Sequence, residues 1–247
     1  MSALLEVSEV SKSFGGIVAN RRVSLTVPEG GIIGLIGPNG SGKTTLFNAI
    51  AGVYPIDGGS IRFAGREISA LRVPAIARLG LLRTFQQTRV FRQMTCLGNM
   101  LASVPQARAT LRQMIAPPAA DDRAEAEALL GFVGLASKRD LPAGSLSFGQ
   151  QKLLEFAMAL MNRPRMLLLD EPTAGINPIL INALVDRLRR ARDQLGITLF
   201  VIEHNMRVVM NLAEHIYCLA HGELLADGPP VAIQKDPRVL AAYLGDS

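Results

Sequence analysis

The residues with the clearest chemistry form one Gly-rich run that fits G-x-x-x-x-G-K-[ST], the P-loop pattern. Its members are Gly37, Pro38, Asn39, Gly40, Ser41, Gly42, Lys43, Thr44 and Thr45. Glycines let backbone N–H groups wrap closely around phosphate oxygens, and a following helix adds its positive end. Lys43 would place its charge on the β- and γ-phosphates, and the Thr44 hydroxyl would bind Mg²⁺, which prefers oxygen ligands. The run predicts a nucleotide-binding site.

Two adjacent carboxylates form a second candidate. Asp170 and Glu171 follow the apolar residues Met166 to Leu169. An Asp at the carboxyl end of a buried strand lies where open α/β sheets bind ligands. Asp170 could hold Mg²⁺ through water opposite Thr44, and Glu171 could accept a proton from an attacking water. The alternative is a strand that ends in a solvated acidic turn, and the P-loop favours the functional interpretation.

A third candidate is the stretch from Leu146 to Gln150, ahead of a helix predicted from Gln151 to Met161. Ser147 and Gln150 fit S-x-x-Q, an ordinary capping box that satisfies the first backbone N–H groups of a helix. The same Ser-capped, Gly-containing helix start could bind an anion. The residues alone leave the structural and the functional interpretations open.

The elements that must position these residues alternate between strands and helices. The apolar run Ile32 to Ile36 predicts a buried parallel strand before the P-loop, and Thr44 to Ala51 predicts the helix after it. Further strands are predicted at Leu81 to Phe85, Met166 to Leu169 and Thr198 to Ile202, with helices at Ile179 to Leu195 and from Met206, and a hairpin over His215 to Ala226. This alternation around a P-loop predicts an α/β fold with a mostly parallel, doubly wound sheet.

Two regions depart from this alternation. Short alternating strands at Leu4 to Val10, Val23 to Val27 and Ile61 to Phe63, the last after a turn over Pro55 to Ser60, predict an antiparallel β flank. Residues 90–163 are helical in pattern and predict an insertion. We therefore expect an α/β nucleotide-binding core made of residues 1–89 and 164–247, interrupted by a helical insertion.

Composition narrows the classes of protein. The 247 residues are 49% hydrophobic and 19% charged, which suits a substantial core, and no apolar run approaches the length of a membrane-spanning helix. The N-terminus lacks the features of a signal peptide, and Cys96 and Cys218 have no metal or redox spacing, so a reduced cytoplasmic setting is expected. Seven arginines against one acid lie between Ile61 and Arg92. They are interpreted as a solvated face rather than as a surface for membrane, nucleic acid or an acidic partner.

The three candidates, in their order and approximate spacing with His204, resemble an ABC transporter ATPase subunit over nearly the whole chain. The resemblance implies a P-loop fold of the ABC type. It also implies a head-to-tail dimer with two ATP sites, in which the P-loop of one subunit faces the signature of the other. Ser147, Gly149 and Gln150 would then bind the nucleotide of the partner subunit.

The resemblance assigns further roles. Gln86 matches the glutamine that faces Mg²⁺ and the attacking water, and His204 matches the histidine that contacts the γ-phosphate. Lys43, Glu171 and His204 would be the catalytic residues, and Thr44, Gln86 and Asp170 would hold Mg²⁺. Phe14 matches the aromatic residue that stacks on adenine, with a packed core Phe as the alternative.

Several residues depart from the common family pattern. Phe148 stands where the signature usually has Gly, and Asn177 and Asn205 stand where Asp is usual. The aromatic signature residue, the Asn177 motif and the run Arg83 to Gln86 together resemble the branched-chain amino acid uptake branch. Asn205 departs even from that branch, and it removes a carboxylate close to the predicted site.

These features predict an ATP-hydrolysing subunit of a membrane importer for branched-chain or related amino acids. The resemblance implies transmembrane permease subunits, a second ATPase subunit (a copy of this chain or a paired cassette) and a solute-binding protein as partners. It places the chain at the cytoplasmic face of the membrane, with no nucleic acid expected. The alternatives are a soluble ABC ATPase that serves an assembly scaffold, such as iron–sulfur cluster biogenesis, and a nucleic-acid-associated ABC protein.

Overall fold

The computed structural model describes residues 2–84, 90–104 and 120–244. The chain divides into two compact units. The core unit comprises Met1–Arg83, Arg165–Thr173 and Leu188–Ser247, and the helical unit comprises Thr84–Pro164 and Ala174–Arg187. The expected insertion, residues 90–163, lies within the helical unit, which also contains the short segment after the Asp170-Glu171 pair.

A six-stranded sheet in the core unit carries the P-loop. Its strands are β3 (Ile32–Ile36), β6 (Leu81–Arg83), β7 (Met166–Asp170), β8 (Thr198–Ile202), β9 (His215–Ala220) and β10 (Glu223–Gly228), in the order β10-β9-β3-β8-β7-β6. All neighbours pair in parallel except β9 and β10, which form the predicted antiparallel hairpin. Every residue of β3, β7 and β8 is buried, which explains their continuous apolar sequences.

The antiparallel flank is a second sheet of the core unit. It comprises β1 (Ala3–Phe14), β2 (Ile17–Pro28), β4 (Gly58–Phe63) and β5 (Arg66–Glu67), in the order β2-β1-β4-β5. The predicted turn over Pro55 to Ser60 is wrong at its end, because β4 begins at Gly58. An irregularity in β1 between Ser8 and Ser11 lets Gly58 and Ser60 pair with it, a register that a single-strand pattern does not reveal.

Helices of the core unit fill the space around these sheets. They are α1 (Lys43–Ile50), α2 (Val73–Arg78), α7 (Met206–Leu212), α8 (Pro230–Lys235) and α9 (Pro237–Leu244), together with the end of α6 (Pro178–Leu195). Buried side chains of both sheets and of α1 form one hydrophobic cluster that includes Phe47, Phe63 and Phe200. A second cluster joins Ile36 and Cys218 to Val209, Ile233 and Val239. The helix that follows the P-loop is thus anchored by burial of its apolar face.

The helical unit contains α3 (Cys96–Ala102), α4 (Ala120–Phe132), α5 (Phe148–Leu160) and the beginning of α6, with short 3₁₀ turns at Ala136–Lys138 and Ala143–Ser145. The helices α3, α4 and α5 pack on one another. Within the described part of this unit, no strand occurs apart from an isolated bridge between Thr95 and Pro142. No helix over the described ranges is long and apolar enough to cross a bilayer.

Candidate active site

The P-loop connects β3 to α1, and its backbone requires glycine at two positions. Gly37 and Gly42 have φ angles of 146° and 97°. A Cβ atom on Gly37 would lie 2.0 Å from the Leu219 carbonyl oxygen, and one on Gly42 would lie 2.2 Å from that of Ala19. Both contacts are with backbone, so neither neighbour could move aside. The spacing of glycines that identified the motif is thus dictated by close backbone approach.

Lys43 folds back onto the loop. Its ammonium donates to the carbonyl oxygens of Gly37 and Pro38, at 2.8 Å each, and to the Ser41 hydroxyl at 3.3 Å. Burial lowers the pKa of Lys43, and the charges of Glu171 and Asp170 act in the opposite direction. The cation is therefore held in the loop by neutral oxygens, which an anionic phosphate would outcompete.

An open cleft of about 220 Å³ lies over the loop. Its lining brings together the P-loop residues from Asn39 to Thr45 and two predicted catalytic groups, Glu171 and His204, from the loops after β7 and β8. The lining residues are Ala19, Asn39, Gly40, Ser41, Gly42, Lys43, Thr44, Thr45, Glu171 and His204. The carboxyl ends of β3, β7 and β8 therefore converge on one site, as expected for an open α/β sheet.

Asp170 is buried, with 1% of its surface exposed. Its Oδ2 accepts a hydrogen bond from the Arg83 guanidinium at 2.5 Å, and Arg83 also donates to the side chain of Asn48. The other oxygen, Oδ1, is buried and has no hydrogen-bond partner among the described residues. A buried carboxylate oxygen normally has a partner, and Asp170 Oδ1 and the Thr44 hydroxyl that lines the cleft are oxygens of the kind that suits Mg²⁺ and its water ligands.

Glu171 and His204 form a close pair, with 2.7 Å between Glu171 Oε1 and His204 Nε2. Glu171 has a φ of 49°, in the left-handed region that a residue with a side chain adopts at a cost. Both side chains are partly exposed and line the cleft. A carboxylate and an imidazole at this position can accept and pass on protons, which is the chemistry that activation of water requires.

The signature residues lie in the helical unit, at the start of α5. Ser147 is the N-cap: its hydroxyl accepts from the Gln150 backbone N–H at 3.4 Å, and Gln150 Oε1 accepts from the Ser147 N–H at 3.1 Å. The predicted capping box is confirmed. Gly149 is closely packed, because a Cβ atom would lie 2.7 Å from Leu180. Phe148 is 48% exposed, so its ring is available to a partner.

The remaining predicted residues have different outcomes. Phe14 is 42% exposed at the end of β1, with its ring 5.1 Å from that of Tyr54, which excludes a packed core role and leaves adenine stacking as a prediction. Gln86 lies outside the described residues. Asn205 caps α7 by accepting from the Val208 N–H at 3.3 Å, and Asn177 accepts from the Ile179 N–H at 3.0 Å at the start of α6. Both departures from Asp therefore retain an oxygen that caps a helix start.

Four residues that support the site were not identified from sequence. Asn20 donates to the Gly42 carbonyl oxygen at 3.2 Å, and the Tyr243 hydroxyl accepts from the Gly37 N–H at 2.8 Å. Arg83 pairs with Asp170, and Glu203 binds the segments that carry Glu171 and His204. The sequence carried a signal for two of them: Arg83 opens the run that resembles the uptake branch, and Glu203 precedes the predicted His204. Nothing in the sequence indicated Asn20 or Tyr243.

Comparison with known proteins gave consistent matches. Residues 20–174 match the family described as ABC transporter, and residues 223–247 match the family described as branched-chain amino acid ATP-binding cassette transporter. The second match covers β10, α8 and α9, including Tyr243. The two matches thus cover the P-loop, the acidic pair and the C-terminal helices.

Individual relatives are similar over the full length. The chain is 41% identical over 252 residues to the high-affinity branched-chain amino acid transport ATP-binding protein BraF of Pseudomonas aeruginosa, covering 99% of this chain and 98% of that protein. It is 39% identical to the lipopolysaccharide export system ATP-binding protein LptB of Acidithiobacillus ferridurans, covering 100% and 98%. The crystal structure of the ADP conformation of MJ1267, an ATP-binding cassette of an ABC transporter, superposes with a TM-score of 0.90 at 32% identity over 100% of both chains.

Proposed function

Because the chain belongs to the ABC transporter ATP-binding family, whose members hydrolyse ATP to drive transport, we propose that it powers an importer for branched-chain or related amino acids. The observation that carries the proposal is the cleft, where Lys43, Thr44, Glu171 and His204 meet. The backbone N–H groups, the ammonium and the hydroxyl of the cleft suit the phosphates of a nucleotide. The match of residues 223–247 to the branched-chain amino acid family supports amino acids as the transported solute. The matched families and relatives are transporter proteins, and they do not support the alternative of an iron–sulfur assembly scaffold.

Hydrolysis of ATP would use the groups that line the cleft. The P-loop amides and Lys43 bind the phosphates and stabilise charge on the transferring phosphoryl group. Glu171 accepts a proton from the attacking water, and His204 contacts the γ-phosphate from the adjacent loop. Their 2.7 Å separation lets one side chain orient the other.

The metal would be Mg²⁺, held by Thr44 and, through water, by the free oxygen of Asp170. When bound, Mg²⁺ neutralises negative charge on the phosphates. Arg83 occupies the opposite oxygen of Asp170, so the carboxylate keeps one orientation and presents Oδ1. Gln86 is proposed as a further ligand on the basis of the sequence motif alone.

A second cassette would complete each ATP site. Ser147, Gly149 and Gln150 lie at the first turn of a helix of 13 residues, where backbone N–H groups and the helix dipole favour an anion. In the proposed head-to-tail dimer they bind the γ-phosphate on the nucleotide of the partner subunit, and Phe14 stacks on adenine in its own subunit. The second cassette is a copy of this chain or a related one.

In the proposed importer, permease subunits and a solute-binding protein are the partners of this chain. The chain itself binds peripherally at the cytoplasmic face of the membrane. The permease subunits would provide the path for the solute. Closure of the cassette dimer on ATP and its reopening after hydrolysis would move those subunits.

Uptake of radiolabelled leucine tests this function in cells that lack the chain. The parent chain should restore uptake, and Glu171→Gln should not, because the variant lacks the proton acceptor. Glu223→Gln is the matched control, since Glu223 is exposed and pairs with Arg21 on the surface hairpin. The proposal would be contradicted if cells that lack the chain took up leucine at the normal rate but lost lipopolysaccharide from the cell surface. That result would favour the activity of the LptB relative.

A further inference from the structure

A buried carboxylate connects the two segments that carry Glu171 and His204. Glu203 follows β8 and is 2% exposed. Its Oε1 accepts the Thr173 backbone N–H at 3.0 Å and the Thr173 hydroxyl at 2.5 Å. Its Oε2 accepts the backbone N–H groups of His204 at 3.1 Å and Asn205 at 3.2 Å. One side chain therefore links the loop after β7 to the loop after β8.

This link holds a strained residue in place. Glu171 has a φ of 49°, a conformation that persists only where the surrounding structure imposes it. On one side, the Glu171 N–H donates to the Ile202 carbonyl oxygen at 3.0 Å. On the other side, Pro172 has no N–H group, so Thr173 is the next residue that can donate a backbone hydrogen bond. Glu203 accepts that bond and completes the restraint.

To hold both loops, the side chain at position 203 needs one acceptor oxygen for each loop. A buried charge is costly unless hydrogen bonds replace its water, and here four donors do so. An amide at this position has one oxygen and one NH₂ group, and the NH₂ group would face N–H donors of one loop. Replacement of Glu203 by Gln should therefore release one of the two loops while the volume of the side chain is conserved.

We propose that Glu203 is a positioning residue for ATP hydrolysis: it fixes Glu171 and His204 relative to each other and touches neither nucleotide nor metal. The proposal rests on the proposed roles of Glu171 and His204. It adds a third acidic residue to the site, which acts through backbone groups. The P-loop contacts of Lys43 are independent of Glu203, so nucleotide binding and the chemical step should separate.

The experiment measures steady-state ATP turnover of Glu203→Gln in the assembled transporter. We expect kcat to fall about 10- to 100-fold, the cost of an error of about 1 Å in the catalytic geometry. The KM for Mg-ATP should stay within about threefold of the parent value, because the P-loop is unchanged. Glu223→Gln makes the same chemical change at an exposed position and should leave both constants at the parent values.

A double-mutant cycle with His204→Ala separates positioning from general destabilisation. If Glu203 acts through the Glu171–His204 pair, its substitution should cost less in the His204→Ala background than in the parent. Thr173→Val removes only the hydroxyl that donates to Glu203, so it should lower kcat by a smaller factor than Glu203→Gln does. This variant carries the test if Glu203→Gln does not fold.

Three results would overturn the inference: a parent kcat in both Glu203→Gln and Thr173→Val, a raised KM at an unchanged kcat, or full additivity in the cycle. Glu171→Gln is assayed alongside to separate this failure from that of the proposed function. If Glu171→Gln retains turnover, the proposed mechanism itself fails. If it stops turnover while Glu203→Gln does not, only the positioning role is wrong.

Discussion

At the scale of single residues, the adjacent carboxylates Asp170 and Glu171 have different surroundings and should have different roles. Asp170 ends β7 and is buried against the Arg83 guanidinium, with its other oxygen free. Glu171 begins the next loop, is 21% exposed and faces His204. Neighbouring positions at a strand end point in different directions, so one carboxylate can serve the metal and the other the water.

Substitution by the matching amides should separate the two roles. Glu171→Gln should bind Mg-ATP, lose turnover by more than about 100-fold and accumulate as a closed dimer, because the amide cannot accept the proton. Asp170→Asn should weaken Mg²⁺-dependent nucleotide binding and give no trapped dimer. The measurements are ATP turnover and light-scattering mass with and without Mg-ATP, on the isolated chain and the assembled complex. A Glu171→Gln variant with the parent turnover would remove Glu171 as the base.

Sequence patterns identified the residues whose spacing is fixed by one element. Lys43 and Thr44 follow from a loop, and Asp170 and Glu171 follow from the end of an apolar strand. The residues that support them come from distant positions: Arg83 lies 87 residues from Asp170, and Glu203 lies 30 residues from Thr173. Such pairs depend on strand order, which local periodicity does not encode, so they could not be predicted.

At the scale of elements, the central strands were predicted well and the C-terminal helices were not predicted. The runs that form β3, β7 and β8 are continuously apolar because both faces of the sheet are covered. The helices α8 and α9 are short, and the first residue of each is a proline. Pro at this position is compatible with both a turn and a helix start, so the signal was ambiguous.

The unpredicted helix α9 supports the P-loop through a hydrogen bond from its last turn. Tyr243 is 37% exposed, and its hydroxyl accepts from the Gly37 N–H at 2.8 Å. Burial raises the pKa of Tyr243, so the hydroxyl stays protonated in the neutral pH range. Gly37 opens the P-loop: the Leu219 carbonyl oxygen of β9 leaves no room for a side chain at this position, and Tyr243 binds its N–H group.

Tyr243→Phe should weaken ATP binding without changing the chemical step. Loss of one hydrogen bond that orders the loop should raise the dissociation constant for ATP by about three- to tenfold, with kcat at saturating ATP unchanged. Tyr217→Phe is the matched control, because Tyr217 bonds the backbone of Thr26 in the flanking sheet. Both variants should lose similar thermal stability, and only Tyr243→Phe should bind a fluorescent ATP analogue more weakly. Equal affinities would contradict a role for α9 at the site.

At the scale of the whole molecule, the transporter needs a surface that passes the nucleotide state to the permease. The loop before α3 in the helical unit has suitable structure. Phe91 and Met94 lie three residues apart and are 59% and 40% exposed, so this loop presents two large apolar side chains to a partner. The buried side chain of Asn99 holds this loop: its Oδ1 accepts from the Phe91 N–H at 2.7 Å, and its Nδ2 donates to the Thr95 carbonyl oxygen at 2.9 Å.

A loop that is ordered by a buried amide and presents apolar side chains suits a preformed docking surface. The cytoplasmic loops of the permease are its expected occupant, because residues 86–100 lead from the sequence-predicted Gln86 motif into the helical unit. The opposing candidate is the basic surface of the core unit, where Arg66 and Arg72 are exposed. Charge alone would favour that surface for an acidic partner, and apolar exposure favours the loop.

Cysteine crosslinking can decide between the two surfaces, because the native thiols should not interfere. Burial raises the pKa of both, that of Cys218 to about 11, and neither side chain is accessible. Thiols introduced at Arg92 and Gln93, which are exposed in the loop, should crosslink efficiently to cysteines in the cytoplasmic loops of the permease.

A thiol introduced at Arg66 is the matched control and should give little product under the same oxidant. The parent chain should give none, because a thiol reacts as the thiolate and these thiols are protonated and buried. The readout is the yield of the crosslinked band in membranes, compared among variants with equal ATP turnover. Crosslinks confined to the Arg66 variant would place the permease on the basic surface and would leave the exposed Phe91 and Met94 side chains without the partner argued for them.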